Sequence, residues 1–143
     1  MPEKPESGPI GLSAEAINQW IKRSPFNSFL GVHVNYCHDG ALELTFPIRP
    51  ELRQFHGFAH GAVVAAVADV SCAWAAAHMV GNVRTAEYKI NFLAPAEGDR
   101  LIGRSQVIKV SKRQVICRSD VYAVKDDQEK LVATALATIM PVE

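Results

Sequence analysis

The chain is short of cysteine, of net charge and of the common nucleophile motifs. Its three cysteines, Cys37, Cys72 and Cys117, are an odd number, widely spaced, with no CxxC pair. That usage suits no closed disulfide framework and points to a reducing, cytoplasmic setting. Fifteen basic residues offset fifteen acidic ones, leaving a formal net charge of zero. No broad positive field is implied, so nucleic acid is not expected as the main partner. The first residues, MPEKPESGPIGLS, lack a basic start followed by an apolar run, so no secretory signal is expected. No GxSxG, GxGxxG, GxxxxGK[ST] or HExxH occurs, which argues against serine-hydrolase, dinucleotide, P-loop and zincin sites. No repeat or low-complexity tract is visible.

What is present is an ordinary globular composition. The 143 residues are 48% hydrophobic and 21% charged, which suits one domain. Residues 1–27 read as an arm and a short helix, and residues 28–143 as the single domain. The first twelve residues carry three prolines and two glycines and are expected to form a loose arm. Ser13 caps a helix to about Lys22, with Ile17, Trp20 and Ile21 on one face, and Ser24-Pro25 ends it. Segments 31–38 and 41–48 flank Asp39-Gly40, a two-residue hairpin signal. Further strands are expected over 84–93, 101–110, 114–124 and 131–140, with KDDQEK as the last hairpin turn. In the 84–93 strand, alternation puts Thr85, Glu87, Lys89 and Asn91 on one face and Ala86, Tyr88, Ile90 and Phe92 on the other. The connections in the second half are too short for crossover helices, so these strands pair antiparallel.

Between the halves runs AVVAAVADVSCAWAAAHMV, residues 62–80. Its length approaches that of a bilayer span. Asp69 at its middle would cost about 2.5–3.5 kcal/mol there, so a helix buried inside the domain is expected, with no membrane. The implied fold class is α+β: a curved antiparallel sheet wrapped around one long central helix.

At about 100° per residue, Val63, Val67, Val70 and Trp74 form a bulky stripe suited to the sheet. Opposite lie Ala62, Ala65, Asp69, Ala73, Ala76 and Val80. Small residues permit close approach by another backbone, and the chain has no second long helix to supply it. A symmetry mate would, so a homodimer is expected. Asp69 on that face has two readings: a carboxylate bonding a neighbouring loop amide, or a general base or nucleophile in an inter-subunit cleft. The preceding loop favours the second. His60-Gly61 opens the helix, whose first N–H groups lack internal partners and lie at the positive end of the dipole. A carbonyl oxygen placed there would be polarised, and Gly61 has no side chain to block it.

Other residues bear on the chemistry. His56 and His60 are four apart, but Gly57 breaks any helix between them and no Glu follows His56, so no metal is expected. Cys72, one turn past Asp69, reads as a small buried hydrophobe rather than a nucleophile. Ser111-Lys112-Arg113 is a basic hairpin tip, either a solvated turn or a phosphate contact.

HGFAHGAVVAAVADVSCAWAA followed by RTAEYKINFLAPA resembles the hotdog-fold acyl-CoA thioesterases of the PaaI-like group, over roughly residues 28–140. The resemblance implies thioester hydrolysis without metal or bound cofactor, CoA being part of the substrate. It makes Gly61 the backbone donor to the thioester carbonyl, His60 the support of the loop, and Asp69 the base or nucleophile acting across the dimer. Thr85 falls where relatives carry the Ser or Thr that orients water. Gln54 stands where many members have Asn, and Ala62 where a second Gly is common. Lys112 and Arg113 fall where relatives hold CoA phosphates. The resemblance further implies a homodimer or homotetramer. The rival functions are a non-catalytic acyl-CoA-binding hotdog module and a hotdog enoyl-CoA hydratase or dehydratase.

Overall fold

The computed structural model describes residues 10–142; most of the expected loose arm lies outside them. In chain order the elements are α1 (Ala14–Ile21), α2 (Pro25–Leu30), β1 (His33–His38), β2 (Ala41–Pro47), a 3-10 turn (Pro50–Leu52), α3 (Gly61–Val80), β3 (Val83–Phe92), β4 (Arg100–Val110), β5 (Val115–Lys125) and β6 (Gln128–Pro141). The strands form one sheet in the order β1-β2-β4-β5-β6-β3, and every neighbouring pair is antiparallel. The sheet wraps α3. This is the hotdog arrangement that the resemblance implied.

Local chemistry explains the punctuation. Ser13 Oγ accepts from the Ala16 N–H at 3.2 Å and starts α1. Asp39 and Gly40 have φ of 49° and 78°, the two left-handed residues that a tight hairpin between twisted strands requires. Asp126 and Asp127, at φ 52° and 60°, make the second such turn without a glycine, because Asp tolerates that region better than most residues. One element was not expected. Pro25 does not only end α1; it opens α2, and Gly31 closes it at φ 78° with its N–H on the Asn27 and Ser28 carbonyls. Proline at the first helical position and glycine just past the last are the usual asymmetry. Gly31 is therefore a cap, and β1 begins two residues later.

By length and hydropathy α3 would pass for a membrane span, but in this fold it is the core helix. Its sheet-facing side is Val64, Val67, Ala68, Ser71, Cys72 and Ala75, all buried. Of the expected bulky stripe, Val67 and Val70 are buried, while Val63 and Trp74 sit at the margin. Ala62 is exposed and Ala65, Asp69 and Ala73 are only half-buried, so the small-residue face does point outward. Ala76 departs from that expectation. It is fully buried in a second cluster with Val115, Cys117 and Ile139, because the curled end of the sheet encloses the last turns of α3 from this side as well.

The floor beneath α3 is built of small residues. A Cβ on Gly103 of β4 would lie 2.6 Å from Val67 Cγ1 and 3.3 Å from Ser71 Cβ. Ser105 Oγ donates to the Ser71 carbonyl at 2.9 Å. Ser71 Oγ spends its single proton on the Ala68 carbonyl at 3.1 Å, so Ser119 donates across the 2.8 Å contact between the two hydroxyls. The three buried hydroxyls thus all find partners, in one another or in the carbonyls of α3, and let helix and sheet approach closely. Gly103→Ala should destabilise the protein by about 1–3 kcal/mol, because Val67 is fully buried and stiff at χ1. Denaturant unfolding reads this, and an unchanged midpoint would contradict the close packing.

Candidate active site

The loop from Arg53 to His60 presents the start of α3. Arg53 braces it: one guanidinium nitrogen donates to the Gly57 carbonyl at 2.8 Å, the other to the Ile48 and Gly98 carbonyls at 2.9 and 3.2 Å. His60 is the N-cap of α3. Its backbone N–H bonds the Leu52 carbonyl at 2.9 Å, and its Nδ1 accepts from the Ala62 N–H at 3.0 Å. Its carbonyl takes the Val63 and Val64 N–H groups at 2.9 and 3.1 Å.

That accounting covers three of the four amides at the helix start. The Gly61 N–H is the one without an acceptor among the described residues. Gly61 lies outside the left-handed region, and a Cβ there would rest 3.8 Å from Phe92 Cε1 and Cζ, an ordinary contact. Neither the backbone nor the packing of its own chain requires glycine at this position. The bare Cα leaves open the approach to an unpaired donor at the positive end of α3.

Gln54 shares the cleft beside Gly61, a volume of about 500 Å³ also lined by Val64, Phe92 and Pro95. Gln54 Oε1 accepts from the His56 N–H. A backbone N–H only donates, so the atom facing it is oxygen, and Nε2 is left as the free donor of this side chain. Gln54→Glu keeps the acceptor for His56 but replaces that donor with a second carboxylate oxygen. Any activity that uses this donor should fall at least tenfold while unfolding free energy stays within about 0.5 kcal/mol; steady-state kinetics beside a denaturant titration measures both.

Asp69 lies two turns further along α3, on its outward side, and Thr85 Oγ1 donates to Asp69 Oδ1 at 2.5 Å. Strand alternation alone does not bring them together. The β3–β6 register shifts between Thr85 and Glu87, so Ala86 is the extra residue of a bulge. Thr85 pairs with buried Ile139 and Tyr88 with buried Ala137, whereas Glu87 pairs with Thr138 on the opposite face. The expected grouping of Thr85 with Glu87, Lys89 and Asn91 is therefore corrected: the bulge puts Thr85 on the helix-facing side, with Tyr88, Ile90 and Phe92.

The eight-residue step from Gly61 to Asp69 corresponds to about 12 Å along the helix axis. One protomer thus holds two separate groups, an unpaired donor at Gly61 beside Gln54 and an acid at Asp69 bonded by Thr85. Lys112 and Arg113 stand exposed on the β4–β5 turn, which Ser111 closes by bonding the Gln114 carbonyl at 2.9 Å. Val115 aligns through Ile139 with Thr85, and Val121 through Ala133 with Phe92. The turn therefore lies at the acid end of the sheet, about 20 Å from the level of Phe92. Cys72 is fully buried, and its thiol is held well above the usual range by its hydrogen bond with Cys117 and by burial; it is no thiolate nucleophile. Sequence reasoning missed Arg53 as the brace of the loop and Phe92 as the wall beside Gly61.

A sheet-wrapped helix with an amide-rich start and an acid on its open side is the architecture of the hotdog thioesterases, in their PaaI-like form. Comparison with known proteins agrees, and the chain belongs to the thioesterase superfamily, whose family model matches residues 56–130. It is 30% identical over 129 residues to a protein of Saccharolobus solfataricus described as a candidate esterase, covering 89% of this chain and 84% of that one. Among solved structures it resembles a thioesterase family protein from Silicibacter pomeroyi, at 35% identity and a TM-score of 0.83, covering 87% of this chain and 93% of that one. It also resembles the phenylacetic acid degradation protein PaaI from Thermus thermophilus, at 26% identity and a TM-score of 0.73, covering 83% of this chain and all of that one. The protein is a hydrolase of the thioester type.

Proposed function

We propose that the protein is an acyl-CoA thioesterase whose active site forms between two copies of the chain. The carrying observation is the pair of half-sites: an unpaired Gly61 N–H and an Asp69–Thr85 pair, too far apart within one protomer to act on one carbonyl. An isologous two-fold contact sets the donor end of each protomer against the acid end of the other, giving two complete sites per dimer. The surfaces for this contact are open. Among the described residues β3 pairs only with β6, and a ten-residue strand with a free edge is a template for pairing with a second chain. Tyr88 and Phe92, on its helix-facing side, are 39% and 56% exposed, beside the small-residue face of α3.

In the reaction, the thioester carbonyl oxygen accepts from Gly61 N–H and from Gln54 Nε2. Asp69 of the other protomer, oriented by the Thr85 hydroxyl, takes a proton from water as the water oxygen attacks the carbonyl carbon. The oxyanion that forms is stabilised at the helix start. The carbon–sulfur bond then breaks as protonated Asp69 returns that proton to the CoA sulfur, which leaves as free thiol beside the carboxylic acid. Lys112 and Arg113, at the acid end of the sheet, offer the cationic contacts for CoA phosphates. No metal or bound cofactor takes part. The three cysteines are free thiols, which fits a reducing cytoplasm.

The test is release of free thiol from a panel of acyl-CoA esters, with sedimentation equilibrium alongside. Hydrolysis by a dimer, or by a tetramer of such dimers, supports the reading. A monomer that hydrolyses the esters would refute the shared site. Tight acyl-CoA binding without thiol release would identify a binding module instead.

A further inference from the structure

We infer that Arg53 is a positioning residue for thioester hydrolysis, the one that sets the direction in which Gln54 offers its Nε2 donor. The inference rests on the thioesterase reading and adds to it a residue that touches no substrate. Arg53 directly precedes Gln54. Residues 52–54 and 58–60 form a small hairpin. Within it the Gln54 N–H donates to the Phe58 carbonyl at 2.9 Å, Arg53 bridges Ala59, and the Gly57 N–H closes the turn on the Gln54 carbonyl at 3.0 Å. Gln54 Oε1 is held inside the same turn by the His56 N–H. The amide of Gln54 is therefore fixed to the hairpin, and its Nε2 points wherever the hairpin as a body is aimed.

Arg53 does the aiming. Its guanidinium joins the hairpin tip, at the Gly57 carbonyl, to the Ile48 and Gly98 carbonyls on the body of the fold. Those two carbonyls belong to a rigid corner. The Ile48 N–H bonds the Asp99 carbonyl at 2.8 Å, and the Asp99 N–H bonds the Val124 carbonyl at 2.9 Å. Gly98 stands at φ 146°, so close to β5 that a Cβ on it would lie 2.0 Å from the Val124 oxygen. Arg53 forms no ion pair among the described residues, so the planar fork serves here through its shape, reaching tip and corner with different nitrogens. A lysine ammonium is a single point and cannot stand at both. The Gly61 donor does not depend on this brace. The His60 N–H is held by the Leu52 carbonyl, and His60 caps the Ala62, Val63 and Val64 amides. Loss of Arg53 thus releases the Gln54 donor and leaves the helix start in place.

The experiment is a double-mutant cycle of Arg53→Met with Gln54→Glu, read as hydrolysis of an acyl-CoA ester. Arg53→Met alone should lower kcat about tenfold and leave KM within about twofold, because a misplaced donor costs the transition state more than the bound ester. In the Gln54→Glu background the donor is already gone, and the same substitution should cost less than about twofold. Arg53→Lys should recover part of the loss. Equal losses in the two backgrounds, an effect confined to KM, or parental turnover in Arg53→Met would overturn the inference and leave the thioesterase reading intact. If Arg53→Met does not fold, the cycle is run with Arg53→Lys under the same criterion. If no ester is hydrolysed by the parent, the thioesterase reading falls, and amide hydrogen exchange decides whether Arg53 aims Gln54. Faster exchange at His56 and Gly57 in Arg53→Met, with Val63 and Val64 unchanged, supports it; unchanged exchange at His56 and Gly57, or an equal rise at all four, overturns it.

Discussion

Asp69→Asn should lower kcat on acyl-CoA by roughly 10²- to 10⁴-fold, the range that a positioned general base contributes. The substitution is nearly isosteric. The Asn Oδ1 still accepts from Thr85, so the 2.5 Å contact that ties α3 to β3 survives. Asn keeps the size of Asp at this half-buried position, so no packing is lost. Unfolding free energy and oligomeric state should therefore match the parent, and KM should change far less than kcat. The measurement is single-turnover thiol release beside a denaturant titration. Parental turnover in this variant would remove Asp69 from the chemistry. A collapse of stability would mean that the carboxylate is structural.

Gly61→Ala should fold as well as the parent, or up to about 1 kcal/mol better, because alanine is the stronger helix former. The added methyl meets only Phe92, at 3.8 Å. The N–H stays in place, yet the methyl occupies the approach to it. Loss of one oxyanion donor typically costs 10²–10³ in rate, and a loss of about that size in kcat/KM is expected here. This variant separates two explanations of the glycine. If it were required for folding, stability would fall; if it serves an incoming carbonyl, activity falls while stability holds. Thermal unfolding and kinetics on one preparation decide between them.

Much of the fold could be read in the residues, for identifiable reasons. Asp39-Gly40 marks a turn by local chemistry, and the central helix declares itself by twenty residues without proline. The α2 helix was hidden because Ser24-Pro25 reads equally well as a stop and as a start. The wheel oriented Asp69 correctly but misplaced Ala76, since a wheel is blind to a sheet that curls around the helix end. The serines 71, 105 and 119 meet across gaps of 34 and 48 residues, which no periodicity reports. Asp69 and Thr85 were coupled through a family likeness, not through spacing. Strand alternation by itself turned Thr85 the wrong way, because an inserted residue leaves no trace in a hydrophobic pattern until the ladder is seen.

The extra residue at Ala86 has a consequence for how such enzymes diversify. It acts as a frame shift written in space: every side chain upstream of it swaps sides while everything downstream keeps its place. A chain that lacked it but kept Tyr88, Ile90 and Phe92 where they are would present residue 86 to the acid, and 85 to the outside. The orienting hydroxyl would then have to migrate one position along the sequence to remain at the same point in the molecule.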